Sequence, residues 1–243
     1  MIKLVFFVTL ISITSYTRVL NLSDEKFASY FAGELGTSLL ATTPYDSQAS
    51  ATETFSQEYK NSYGGEFGFV YSSPYVGWRF SFEIIKPSKL SEVQSSQSGT
   101  VNYLLSSDVT AVAPKIGIEI HLNRKPNNRF YLFGFYGSSN LTMTNSYTQV
   151  IISPNTDHQT SLKSSAPVTG GGLAYEFSFV DTTTICLELG YRSLVFKEIK
   201  YAKDVTTFQG AKVAGDAYVD AAGADKTLNF SNYFAAFSFR FWL

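Results

Sequence analysis

The sequence is poor in cysteine, histidine and charge, and these shortages exclude several kinds of protein. Its single cysteine, Cys186, excludes an intrachain disulfide framework. One cysteine and two histidines are too few for a typical zinc site. Charged residues form 16% of the chain, against about 25% in soluble proteins. The formal net charge of −1 gives no indication of nucleic acid as a partner, and we expect no cofactor and no metal.

Long hydrophobic runs are missing as well. After residue 20, no stretch approaches the roughly 18 apolar residues that indicate a membrane helix. Aromatic residues nevertheless form 16% of the chain, with 21 Phe and 16 Tyr, and the mean hydropathy is −0.01. Many aromatic side chains without long apolar runs indicate strands in which apolar and polar residues alternate.

The first residues look like an export signal. Lys3 supplies a positive charge, the next ten residues form an apolar stretch of signal length, and small residues follow. Cleavage is expected at about residues 14–20. We therefore predict a signal peptide over residues 1–20 and a single domain over residues 21–243, with a buried N-terminal strand as the alternative.

The remaining chain contains eight segments with a period of two, each near the 9–11 residues that cross a bilayer as a tilted strand. The predicted strands are 27–40, 64–72, 76–86, 109–122, 129–138, 170–180, 184–195 and 229–243. Short connections alternate strictly with long ones, and the long ones are 41–63, 87–108, 139–169 and 196–228. Short turns on one side and long loops on the other are typical of outer-membrane barrels.

Charged residues share one face of each segment, and large apolar side chains occupy the other. In the third segment Trp78, Phe80 and Phe82 lie opposite Arg79 and Glu83. The fifth segment is ambiguous, because both of its faces are apolar. The predicted charged face, taken over all strands, contains Glu34, Glu66, Arg79, Glu83, Lys115, Glu119, Glu176, Glu188, Arg192 and Arg240.

Side-chain size indicates which face points outward. The interior of eight strands is just filled by side chains, so the many large aromatics do not fit inside, whereas Gly68, Gly117 and Gly190 on the other face do. A Lys or Arg on the lipid face at the midplane would cost roughly 2–4 kcal/mol. The prediction is an all-β fold: a single eight-stranded antiparallel transmembrane up-and-down β-barrel with short periplasmic turns and four long extracellular loops.

The C-terminal strand carries a motif of its own. The alternation of Phe239, Phe241 and Leu243 resembles the terminal signal by which the barrel-assembly machinery recognises outer-membrane proteins, although that signal usually ends in Phe. Residues 170–177 and 187–192 resemble the penultimate hairpin of the OmpA-like and opacity-protein barrels. This resemblance implies a surface-exposed structural, adhesive or antigenic barrel in the outer membrane of a Gram-negative-type bacterium.

The charged face permits two interpretations. Its residues could line a narrow path for ions or small solutes. Alternatively, they form a packed salt-bridge network that fills a small barrel, because buried charges persist when they are paired and hydrogen-bonded. Six acids against four bases would leave one or two carboxylates to be solvated by water.

No catalytic residue is predicted. His121 lies near a short turn, and His158 follows Asp157 in the third long connection. A Ser/His/acid hydrolase needs such a histidine beside a positioned serine, and the sequence offers many serines without a way to choose one. A solvated loop histidine is therefore the interpretation that we adopt for His158.

The long connections hold the candidate contact residues. Two apolar islands, marked by Tyr103 and Leu104 and by Ile151 and Ile152, are either binding patches or extensions of the strands above the membrane. Three lysines of the last connection either contact lipopolysaccharide phosphates or only aid solubility, namely Lys197, Lys200 and Lys203. We thus predict a non-enzymatic surface barrel with a structural, adhesive or host-contact role, and a small channel as the alternative. Its expected partners are outer-membrane lipid, lipopolysaccharide, the assembly machinery and a host or cell-surface ligand.

Overall fold

The computed structural model describes residues 20–42, 54–123, 125–151, 157–207, 210–219 and 223–243. All regular elements in these ranges are β-strands. The described residues contain no helix long and apolar enough to cross a membrane. The predicted signal peptide lies almost entirely outside the described residues, and its cleavage stays a prediction.

Eight long strands form the body of the protein. They are β1 (Phe27–Thr42), β2 (Tyr59–Ser72), β3 (Val76–Pro87), β4 (Thr100–His121), β5 (Asn128–Thr148), β6 (His158–Val180), β7 (Thr183–Phe196) and β8 (Asn232–Trp242). Each strand pairs antiparallel with its neighbours in sequence, and β8 pairs with β1, which closes the ring. The predicted up-and-down barrel of eight strands is confirmed.

The outer wall of the barrel carries a band of exposed apolar side chains, called the apolar belt below. It includes Phe31, Leu35, Phe67, Phe69, Trp78, Phe80, Phe82, Ile84, Ile116, Ile120, Leu132, Leu173, Leu187, Leu189, Phe237, Phe239 and Phe241. Such a surface is stable against lipid and unfavourable in water. The protein therefore spans a membrane, with the short turns on the periplasmic side.

Tyrosines mark the end of the belt on the extracellular side. Exposed tyrosines stand there at Tyr63, Tyr136, Tyr191 and Tyr233. Two positions further from the belt, the next outward-facing residue of each strand or its continuation is polar, namely Asn61, Ser138, Ser193 and Ser231. Rings with a polar tip are the usual girdle between hydrocarbon and headgroups.

Three strands are longer than predicted, and this corrects the expected loops. β4, β5 and β6 have 22, 21 and 23 residues, about twice the 9–11 needed to cross a bilayer. Much of the predicted long connections 87–108 and 139–169 is therefore strand. Their outward residues are mostly Ser, Thr and Asn, which resemble loop composition, but the inward residues continue the period of two.

Shorter strands extend the wall of the barrel on the extracellular side. Leu90–Gln97 pairs with the first part of β4, and Thr54–Phe55 pairs with Leu90–Gln97. The turn into β4 uses Ser98 and Gly99, both with positive φ. In the last connection, Lys200–Tyr201 pairs with β6 and Leu228–Asn229 pairs with β7, while Val205–Thr207 and Gly210–Lys212 pair with each other.

Candidate functional site

A continuous series of alternating charges fills the lumen inside the apolar belt. The structure places all ten residues of the predicted charged face there and adds Arg129, for a total of six carboxylates and five cationic groups. These eleven side chains are called the lumen ion chain below. Each lies within 4.0 Å of an opposite charge.

The extracellular end of the lumen ion chain is formed by Arg192 and Lys115. Arg192 binds Glu34 at 2.7 Å and also pairs with Glu83. Lys115 bridges Glu83 at 2.9 Å and Glu66 at 2.6 Å. Every one of these side chains is at least about nine-tenths buried, so the pairs replace water as the partner of each charge.

Arg79 joins the two ends of the chain. Its guanidinium lies 2.9 Å from Glu188, 3.4 Å from Glu66 and 3.6 Å from Glu119. The same group lies over the ring of Tyr30, 4.9 Å from its centroid, and the Tyr30 hydroxyl donates to Glu66. Three carboxylates and an aromatic ring therefore hold one guanidinium in place.

Arg240 and Arg129 form the periplasmic end. Arg240 pairs with Glu119 at 2.7 Å and with Glu176 at 3.3 Å, and Arg129 pairs with Glu176 at 2.9 Å. The Arg129 guanidinium also lies over the Trp242 ring, 5.0 Å from its centroid. The indole nitrogen of Trp242 donates to Glu176 at 3.2 Å, which ties the C-terminal strand to the chain.

Arg129 was not predicted from the sequence as a lumen residue, and the reason is physical. Strand β5 is apolar on both faces from Phe130 to Phe133, so no charge within it shows which face points inward. The structure turns Tyr131 and Phe133 into the lumen, where both are buried. One signal in the sequence could have placed Arg129. Residues two positions apart in a strand share a face, so Arg129 lies on the same face as Tyr131, which is more polar than the neighbouring Phe130.

Very little empty space remains within the lumen ion chain. The cavity beside Glu34, Glu66, Arg79 and Glu188 has a volume of about 20 Å³, which is enough for roughly one water molecule. Phe135 narrows it from one side, since the Lys115 ammonium lies 4.5 Å from the centroid of that ring. The arrangement is a packed ionic core with room for a water.

Above the lumen ion chain the interior becomes apolar. This extracellular core includes Tyr59, Ile85, Leu90, Val93, Tyr103, Leu105, Val109, Leu141, Met143, Tyr147, Leu162, Val168, Leu194 and Phe196, all buried. The inward faces of β4, β5 and β6 supply many of them, beyond the point where these strands leave the belt. An apolar interior of this kind is an unfavourable environment for an ion.

The last connection covers the extracellular core. Its side chains Ile199, Tyr201, Tyr218, Leu228 and Phe230 are all buried in that core. Backbone bonds hold it in position, with the Tyr218 amide donating to the Ile199 carbonyl at 2.8 Å and the Phe230 amide to the Leu194 carbonyl at 2.8 Å. The sequence predicts this segment as a long extracellular connection, and the structure shows that its apolar residues pack into the top of the barrel.

A small hydrogen-bonded group crosses the extracellular core. The Tyr59 hydroxyl donates to Ser107 Oγ at 2.7 Å, and Ser107 donates to the Asn145 side-chain oxygen. Burial raises the pKa of Tyr59, which lies outside the membrane-spanning segments. Tyr59 therefore stays protonated at neutral pH and keeps its bond to Ser107, which gives its hydroxyl a partner in an apolar environment.

The N-terminal described residues close the periplasmic mouth. Leu20 and Leu22 are buried against Ala28 and Trp242, and the Leu22 amide donates to the Pro126 carbonyl at 2.9 Å. This segment lies beneath the Trp242 end of the lumen ion chain. Both ends of the described lumen are therefore covered by apolar side chains.

The two histidines and the cysteine have structural surroundings. His121 Nε2 lies 3.3 Å from Arg129 and 3.7 Å from Glu119. The ring of His158 stacks on Tyr147 with centroids 4.7 Å apart, which corrects the expectation of a solvated loop histidine. Cys186 is fully buried, and its sulfur lies 2.9 Å from the Tyr131 hydroxyl. The described residues contain no cluster of side chains suited to a metal ion.

The predicted contact residues differ in how exposed their side chains are. Tyr103 is fully buried, and this corrects its assignment as a surface contact. Leu104 is partly exposed and Ile151 is 55% exposed, while Ile152 lies outside the described residues. The three lysines of the last connection, Lys197, Lys200 and Lys203, are exposed. Phe239, Phe241 and Leu243 are exposed on the lipid face of the C-terminal strand and its end.

The outer wall of the extracellular half is polar. Between Lys89, β4, β5 and the start of β6, a depression of about 380 Å³ is lined largely by hydroxyl groups, from Ser106, Thr110, Thr142, Thr144 and Ser146 among others. Asp108 borders it and pairs with Lys86 at 3.7 Å. A second depression, of about 410 Å³, lies between β6 and β7. Both are large concave surfaces of the described outer wall.

No protein-family model and no curated protein sequence matches the chain. Its fold is similar to several solved barrels. Ail, the attachment invasion locus protein of Yersinia pestis, has 13% identity and a TM-score of 0.47 over 89% of this chain and 99% of its own. OprG of Pseudomonas aeruginosa has 10% identity and a TM-score of 0.49 over 93% and 98%. OmpT, the outer membrane protease of Escherichia coli, has 7% identity and a TM-score of 0.43 over 94% and 100%.

Similarities at this level carry no argument about ligand or activity. The closed ring of eight strands, the apolar belt and the polar extracellular half are the arrangement of outer-membrane barrels. The expected resemblance to the small outer-membrane barrels and the expected location in the outer membrane are confirmed. The protein is an outer-membrane surface barrel.

Proposed function

We propose that this barrel is a sealed, non-enzymatic membrane anchor whose ordered extracellular half makes contact with other cells or surfaces. The observation that carries the proposal is the change in the lumen from a packed ion chain to a closed apolar core. A lumen filled in this way leaves the outer surface as the part of the molecule that can meet a partner.

The rigidity of the extracellular half supports a contact role. Its polar wall is built on the paired strands β4, β5 and β6, and Tyr103, Leu141 and Leu162 anchor these strands from inside. A surface that is already ordered loses less conformational entropy when it binds than a solvated loop does. We therefore assign the contact surface to the outward face around Thr110, Thr142 and Thr144.

Attachment of bacteria tests this assignment. A non-adherent Gram-negative strain that displays the protein should bind cultured epithelial cells more than the same strain with an empty vector. Replacing both Thr142 and Thr144 by Arg should reduce attachment at least severalfold, because bulky charges then cover the surface. Thr182→Arg, in a periplasmic turn, is the matched control. No attachment above the empty vector, or an equal loss in the control, contradicts the proposal.

Conductance tests the sealed lumen and the channel alternative. The refolded protein in a planar lipid bilayer should show no current steps above background. Stable steps that change in Arg79→Ala or Glu83→Ala would instead establish the lumen as a path and replace the proposed function. For the non-enzymatic part, His158→Ala should leave the outer-membrane lipid composition unchanged, and a changed composition would count against it.

A further inference from the structure

The strands β6 and β7 separate where they leave the membrane. Their pairing ends at Val168, opposite Leu194. Beyond this point β6 pairs with Lys200–Tyr201, whereas β7 pairs with Leu228–Asn229. The outer wall therefore contains a fork, and the fork leaves a groove of about 410 Å³. This fork groove is lined in part by Ser165, Pro167, Thr169, Ser193, Val195 and Lys197.

The fork groove begins at the height of the lipid headgroups. Ser193 is the next outward residue above Tyr191, a spacing of roughly 6.6 Å along the strand. Tyr191 ends the apolar belt on β7, is 44% exposed, and contacts the ring of Tyr233 with centroids 5.1 Å apart. Tyrosines of this kind lie at the boundary between hydrocarbon and headgroups. A lipid molecule beside β7 therefore has its headgroup at the groove.

The residues around the fork groove carry unbalanced positive charge. Lys163 lies directly opposite Lys200 in the antiparallel pairing of β6 with Lys200–Tyr201, and both are exposed. Like charges in this position are destabilising. Lys197 lines the groove itself. Within the described ranges none of these three lysines has a carboxylate within 4.0 Å, and Glu198 is the acidic residue lining the groove.

We propose that the fork groove binds the phosphorylated glycolipid of the outer leaflet, lipopolysaccharide. The lysines at positions 163, 197 and 200 neutralise its phosphate groups, and the hydroxyls of Thr169 and Ser193 meet its sugar hydroxyls. The apolar surfaces of Pro167 and Val195 cover the sugar rings. The acyl chains then lie on the apolar belt below Tyr191. An anionic partner also relieves the repulsion between Lys163 and Lys200.

This site is independent of the proposed contact function, because it faces the protein's own membrane. Its test uses the refolded full-length protein in phosphatidylcholine nanodiscs, with lipid A added in increasing amounts. Native mass spectrometry then counts the bound lipid A molecules and measures the apparent Kd. The double variant Lys163→Gln with Lys200→Gln removes the paired charges. Lys60→Gln with Lys89→Gln removes two exposed lysines on the opposite side of the ring and is the matched control.

The proposal predicts a loss of affinity confined to the fork groove. A lysine near an anionic surface contributes about fivefold in affinity, so the double variant should bind lipid A roughly 25-fold more weakly, while the control pair binds as the wild type does. Dephosphorylated lipid A should bind the wild type more weakly than intact lipid A binds the variant, because the variant keeps the contact of Lys197 with phosphate. Arg at both positions should restore binding, because it keeps the charge.

Three results would overturn the proposal. The first is unchanged lipid A affinity in the Lys163→Gln, Lys200→Gln variant, and the second is an equal loss in the control pair. The third is equally tight binding of phosphatidylglycerol, which would reduce the site to general attraction of anionic lipid. A shift in gel mobility between unboiled and boiled samples confirms that each variant has folded before its affinity is measured.

Discussion

The two halves of this barrel are built from the same strands but have opposite polarity. In strand β4, the membrane half turns Lys115 and Glu119 inward, and Ile116 and Ile120 outward. A few residues earlier the same strand turns Val109 and Leu105 inward, and Asp108 and Thr110 outward. The period of two continues without interruption, while the solvent outside changes from lipid to water. The surrounding medium therefore decides which side chains form the core.

The two halves are also stabilised by different interactions. The membrane half depends on paired charges, and a buried charge that loses its partner is strongly destabilising. The extracellular half depends on apolar burial, whose loss scales with the atoms removed and the cavity left. Four substitutions separate these two sources of stability, from the largest expected effect to the smallest.

Loss of Arg240 should have the largest effect. Arg240→Ala leaves Glu119 and Glu176 without a major partner in a fully buried position, so we expect a loss of about 3–5 kcal/mol in the free energy of unfolding. Urea titration of the protein in lipid vesicles, read by gel mobility, measures this. Lys86→Ala is the control, because its pair with Asp108 is exposed. A loss no greater than that of the control would show that the lumen ion chain is not needed for stability.

Truncation in the extracellular core should act locally. Leu105 is fully buried, and Leu105→Ala should cost about 2–5 kcal/mol. Since the belt and the lumen ion chain remain intact, we expect hydrogen exchange to rise in the extracellular parts of β4 and β5 while the membrane parts stay protected. Thr110→Ala, on the outer wall, should change neither. Uniform loss of protection throughout the barrel would mean that the two halves unfold as one unit.

A charge placed on the outer wall should be costly in one half and tolerated in the other. Ile116→Arg puts a cation against lipid, with an expected loss of roughly 2–4 kcal/mol. Thr144→Arg, outward on the neighbouring strand above the belt, should stay within about 0.5 kcal/mol. Urea titration in vesicles compares the two variants. Equal losses would contradict the placement of the membrane boundary.

Removal of a single hydroxyl should have the smallest effect. Tyr59→Phe deletes the bond to Ser107 in the extracellular core, and we expect a loss of about 0.5–1.5 kcal/mol. Tyr75→Phe, at an exposed position in a periplasmic turn, is the comparison. Thermal unfolding in detergent measures both. A loss in Tyr59→Phe that does not exceed that of Tyr75→Phe would show that the hydrogen-bonded group contributes nothing.

The sequence predicted the membrane half closely. The eight strands, their order and the face of every lumen charge except Arg129 could be read from the alternation, because one misplaced charge in lipid is so unfavourable that the pattern is strict. The length of β4, β5 and β6 could not be read in the same way. Their outward Ser and Thr residues resemble loops, and Tyr103 then looks like an apolar island instead of part of a core.

What the sequence determined by itself is the barrel, its register and its membrane location, since these follow from local alternation and the transfer of side chains between lipid and water. Tertiary structure alone decided how the described part of the lumen is filled. The pairing of Arg79 with Glu188 joins residues 109 positions apart, and Tyr218 reaches the core from the last connection. Contacts of this kind depend on which residues face one another across the closed ring, and no local pattern encodes them.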